Sequence, residues 1–179
     1  MKEDKAVEQD ENALTFGFPV SIVMQHRIIE NNVWIAEQWE VEAVVAGGNY
    51  YDGGIPERSI SRVGEEDEKY IWSNYKINLF IDEVESYYFN ILSDTPYVFV
   101  ICRDEEEDGE LVPFKVSVNY DEASSFLELE EQVFQVPMPA EIYRWLEQFV
   151  VNNYVPVKRK KRKLENWKDA GQEPNKVMH

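Results

Sequence analysis

From Phe18 to Ile29 the apolar positions alternate with polar ones. Val20, Ile22, Met24 and Ile28 fall on one face and Ser21, Gln25 and Arg27 on the other, the two-residue period of a half-buried strand. Glu30 to Asn32 suit a tight turn. A second strand then reads "VWIAEQWEVEAVVA", with Ile35, Trp39, Val41, Ala43 and Val45 on one side and Glu40 and Glu42 opposite, so the pair forms a long hairpin. "GGNYYDGGIPERS", with four glycines and a proline, reads as a loop. Gly64 to Lys69 reads as another exposed connection.

From Tyr70 the pattern predicts a meander. Tyr75, Ile77, Leu79 and Ile81 alternate with Lys76 and Asn78. "YYFNIL" and "YVFVICR" flank "SDTP" as two more strands, although Val84, Tyr88, Ile91 and Leu92 also fit a helical stripe. "FKVSVNY" alternates with Phe114, Val116 and Val118 inward and Lys115, Ser117 and Asn119 outward. Two helices follow. The first has Asp121 as its expected N-cap, with Ala123, Phe126 and Leu127 at helical spacing. The second, "PMPAEIYRWLEQFVVNNY", has Ile142, Trp145, Leu146, Phe149 and Val150 as a core-facing stripe. Pro139 and Glu141 suit its first turn, and Pro156 lies beyond its last. The expected fold is mainly β, a small antiparallel curled sheet or barrel with the C-terminal amphipathic helix packed on it or plugging one end.

Length and composition narrow this picture. With 179 residues, 44% of them hydrophobic and 13% aromatic, the chain can bury a core of its own. The predicted organisation is an acidic, disordered N-terminal tail over 1–15, one globular β-rich domain over 16–156 and a basic C-terminal tail over 157–179. The lone Cys102 excludes an internal disulfide and lies in an apolar run, where it reads as a small buried hydrophobe. Neither a signal peptide nor an apolar run of membrane-spanning length is found, so the chain is expected to be cytoplasmic.

Charge changes the picture most. The formal net charge is −17, yet Lys158, Arg159, Lys160, Lys161, Arg162 and Lys163 are consecutive cations. From Lys158 onward there are eight basic and three acidic residues, which leaves ten basic and 32 acidic before it, a net of −22. Such a body repels nucleic acid and anionic lipid. The six cations are therefore the expected contact for an acidic protein partner, with no nucleic acid and no membrane involved.

Nothing in the sequence assembles catalytic chemistry. Of two histidines, His179 is terminal and His26, on the face of Met24 and Ile28, reads as a packed structural residue. No second histidine or nearby cysteine completes a zinc site, and "AGGNYYDGG" leads into no helical pattern, as a phosphate loop would. Glu65–Glu68 and Asp104–Asp108 lack the spacing of a calcium loop. No cofactor and no metal are expected. Trp34, Trp39 and Trp72, with Tyr50 and Tyr51, are the alternative candidates, as the lining of a barrel that holds a flat small molecule.

Taken in order, "FPVSIVMQHR", "YYFNILSDTPYVFVICR", "VSVNYDEASSFLE", "VPMPAEIYRWLEQFV" and "VPVKRKKRK" resemble the uncharacterised bacterial domain-of-unknown-function family thirty-three-oh-five. The resemblance covers about residues 16 to 165 and takes in the basic segment. It implies genes that commonly lie beside those for molybdenum- or tungsten-dependent formate dehydrogenases, and it transfers no catalytic residues. The resulting expectation is a non-enzymatic accessory protein that assists assembly or function of such an enzyme, with one of its subunits as the acidic partner.

Overall fold

The computed structural model describes residues 17–29, 37–64, 67–105 and 110–156. The expectations for the tail 1–15, for the turn at Glu30–Asn32, for Trp34 and for the basic tail fall outside them. Among the described residues the chain forms seven strands and three α-helices. The strands are β1 (Gly17–Ile28), β2 (Glu37–Ala46), β3 (Glu57–Val63), β4 (Asp67–Asn78), β5 (Tyr97–Asp104), β6 (Leu111–Ser117) and β7 (Gln132–Pro137). The helices are α1 (Val84–Leu92), α2 (Tyr120–Glu128) and α3 (Ala140–Asn153).

The strands make two antiparallel sheets, ordered β2-β1-β4-β3 and β6-β5-β7. The mainly β fold with a C-terminal helix is as expected, but among the described residues no barrel closes. Contacts of β2 with β7 and of β4 with β6 lay the second sheet over the first. Between them pack Val20, Ile22, Met24, Val41 and Ile77 from one sheet and Val98, Val100, Cys102, Val116 and Val136 from the other. The Tyr75 hydroxyl crosses the sandwich to donate to the Pro113 carbonyl. Burial pushes the Cys102 thiol up to about 12, so it packs as a neutral apolar group.

The predicted hairpin of β1 and β2 is present, with His26 opposite Trp39 and Val20 opposite Ala46. Its inward alternation slips, however. Val23 faces Ala43 while Met24 faces Val41, so Glu42 is an extra residue. Beyond such a bulge the pleat changes phase: Val44 is buried and Val45, predicted inward, is exposed. A second slip lies in β4, where Val20 faces Tyr75 but Ile22 faces Trp72. There Asn74 adopts φ 66°, a left-handed conformation that Asn tolerates better than most residues. Its side chain accepts from the Tyr51 amide at 2.7 Å and donates to the Ile55 carbonyl at 3.0 Å, which pins the glycine-bearing loop.

Five further expectations are corrected. The loop ends at Pro56 and β3 begins, a strand exposed along its whole length. There is no meander from β4 into β5, because the two belong to different sheets. "YYFNIL" is helical, within α1. Its buried face is Ser86, Tyr87 and Asn90, so hydrogen bonds rather than apolar spacing fix it: Asn90 donates to the Tyr97 and Val118 carbonyls, each at 2.8 Å, and accepts from the Tyr97 amide. Finally, Ser117 and Asn119, predicted outward, are buried. Asn119, not Asp121, caps α2, accepting from the amides of Asp121 and Glu122.

The predicted stripe of α3 is buried at Ile142, Leu146, Phe149 and Val150, with Trp145 half-buried. Trp145 meets Phe18 of β1 at 5.1 Å between ring centroids, and Phe149 meets Tyr87 of α1 edge-on at 6.0 Å. The helix is thus part of the core.

Candidate functional site

The six cations from Lys158 to Lys163 lie outside the described residues, but the point from which they leave the body is defined. α3 ends at Asn153, and the next residue, Tyr154, stacks on Tyr88 of α1 with ring centroids 4.1 Å apart and planes 17° apart. Asn153 donates back to the Phe149 carbonyl at 2.8 Å, closing the last turn. Pro156 follows two residues later.

Trp39 and Trp72 are taken up by neighbouring side chains. Trp72 is buried in the core, and its indole N–H has no acceptor among the described residues. Arg58 lies over the Tyr70 and Trp72 rings, at 5.0 and 5.7 Å from their centroids, and is ion-paired with Glu110. Trp39 is stacked on His26 at 4.3 Å and on Tyr70 at 6.0 Å. His26 is half-buried against Trp39, with Glu37 at 3.3 Å from Nε2. Tyr51 is exposed beside the pinned loop, and Tyr50 receives the Lys76 ammonium over its ring at 4.6 Å. Among the described residues no group of three or more His, Cys, Asp or Glu side chains is placed to hold a metal ion.

What sequence reasoning missed is a groove between α1 and the start of α2. The faces of α1 explain it. Tyr87 and Asn90 point into the body, Val84, Tyr88 and Ile91 pack at the margin of the core, and Glu85, Ser86 and Phe89 line the groove. One half is a cavity of about 400 Å³ walled by Phe89, Tyr97, Phe99 and Tyr120, with Asn90 and Gln135 among its polar groups. Phe89 and Tyr120 are 58% and 59% exposed there. The other half is wider, about 820 Å³, and is lined by Asp82, Glu83, Glu85, Asp121 and Glu122. Ser86, Phe89 and Asp121 belong to both, so the halves are continuous.

Two of the five carboxylates have partners. Glu83 accepts from the Tyr87 hydroxyl at 2.7 Å, and Glu122 pairs with Lys115. Burial, and then the bond to Glu83, raise the Tyr87 hydroxyl well above its ordinary value. Asp82, Glu85 and Asp121 have no cation beside their side chains among the described residues. The only sequence signal for this groove was the pair of apolar residues, Phe89 and Tyr120, left outside every predicted core stripe.

Compared with known families, residues 19–163 match the model described as protein of unknown function DUF3305. The chain belongs to the DUF3305 family. The DUF3305 match ends at Lys163, so it takes in all six cations as well as the groove and α3. No curated protein and no solved structure matches the chain.

Proposed function

We propose that this chain is a non-enzymatic accessory protein that assists assembly or function of a molybdenum- or tungsten-dependent formate dehydrogenase. It would act by presenting Lys158–Lys163 to an acidic surface of one of that enzyme's subunits. The observation that carries the reading is the family match, which runs through Lys163 and so includes all six cations. The charge asymmetry supports it: a body of net −22 offers an acidic partner one attractive face, and such a face steers association and fixes orientation. The stacking of Tyr154 on Tyr88 supports it as well, because it holds the root of the segment. A flat ligand stacked on Trp39 or Trp72 has less support, since His26 occupies one face of Trp39 and Trp72 is buried.

The test is co-purification of the tagged full chain from cells that make the enzyme. A formate dehydrogenase subunit should be retained at about 0.05 M salt and released at about 0.5 M, where the screening length falls to a few ångströms. Absence of any such subunit at low salt would contradict the proposal.

A further inference from the structure

The groove between α1 and α2 has a ligand of matching chemistry on the same chain. We propose that residues 158–167 dock into it intramolecularly, with Lys158–Lys163 against the acidic half and Leu164 and Trp167 in the aromatic half. The inference goes beyond the accessory role and holds whether or not a formate dehydrogenase is the partner.

Three observations carry it. The first is charge complementarity: Asp82, Glu85 and Asp121 line the groove without a cation among the described residues, and the tail has six in succession. The second is order. Apolar side chains follow the cations at Leu164 and Trp167, just as the aromatic half adjoins the acidic half through Ser86, Phe89 and Asp121. An apolar wall with Phe89 and Tyr120 exposed suits an indole. The third is position. Tyr154 stacks on Tyr88, next to Phe89 on α1, so the tail leaves the body one helix face away from the groove. From Pro156 to Trp167 the chain can span about 35 Å, at about 3.3 Å per residue. α1 is only about 13 Å long, at about 1.5 Å per residue, so the tether reaches both halves. A tether of this kind places the tail at an effective concentration on the order of millimolar, enough for weak pairs to act together.

An acidic partner has to compete with Asp82, Glu85 and Asp121 for the same cations.

Zero-length carbodiimide cross-linking of the full chain tests this, on an equal mixture of unlabelled and 15N-labelled protein at about 0.01 M ionic strength, where the screening length is about 30 Å. Lys158, Lys160, Lys161 and Lys163 should couple to Asp82, Glu85 and Asp121 within single chains. Near about 1 M salt, where the screening length is about 3 Å, those products should be lost. Trp167→Ala should also remove most of the yield, with an unchanged melting temperature showing the body intact. Any of four results overturns the proposal: products that join labelled to unlabelled chains, which assign the groove to a second copy; products spread over Glu68 and Asp104 as readily; no tail products at all; or an undiminished yield from Trp167→Ala.

Discussion

β5 and β3 are both antiparallel strands, yet they are held in opposite ways. β5 lies at the centre of its sheet, and Val98, Phe99, Val100, Ile101 and Cys102 are all essentially inaccessible. Even-numbered positions face the other sheet, and Phe99, on the opposite face, meets Tyr120 of α2 at 6.0 Å. β3 is an edge strand with every residue exposed, joined to β4 through its ladder and tied down by Arg58. The difference teaches that stability resides where two layers meet, while an exposed edge strand is held by its ladder and a few side-chain contacts. Charged residues such as Glu57, Arg58 and Arg62 are common on edge strands.

The largest effect that sharpens this comparison is expected at Ile101→Ala. Removing most of a fully buried side chain costs about 2–5 kcal/mol, and chemical denaturation should register it as a lower midpoint at unchanged slope. Asn90→Ala comes next. It strands the Tyr97 amide and two carbonyls near the start of β5, and a buried group left unpaired costs about 1–3 kcal/mol.

Alkaline pH should weaken the same layer. The folded values of Cys102, Tyr75 and Tyr87 are all raised by burial. The stabilisation they contribute is therefore complete below the ordinary values, 9.0 for the thiol and 10.0 for the phenols, and is lost as pH rises through the folded ones. The melting temperature should hold between about pH 7 and pH 8 and fall by about pH 11; a flat profile to that pH would count against the burial. The smallest effect belongs to Ile60→Ser on β3, an exposed site expected to change stability by less than about 0.5 kcal/mol. A loss as large as that of Ile101→Ala would erase the contrast.

The same physics explains what could be read in the sequence. β1, β5 and α3 were legible because burial there is apolar and periodic, as at Val20 and Ile22 or at Ile142 and Leu146. β3 was not, because a strand exposed on both faces carries no alternation. α1 was misread as a strand because its aromatic residues favour strands, while the residues that settle its conformation, Ser86 and Asn90, are polar and act through partners far along the chain. The bulges at Glu42 and Asn74 shifted the inward phase of β2 and β4, which no local pattern signals. The groove was invisible for a related reason: its acids come from two helices separated in sequence, and only packing brings Glu85 and Asp121 to one surface.

Measuring association of the full chain with purified formate dehydrogenase over a range of salt tests the central claim most directly, with all six residues from Lys158 to Lys163 replaced by Gln in the variant. Exposed pairs contribute about 0–1 kcal/mol each, so the cations have to act together. The account predicts slower association, a flattened salt dependence and an unchanged melting temperature in the variant. Association as fast and as salt-sensitive as that of the natural chain would contradict it.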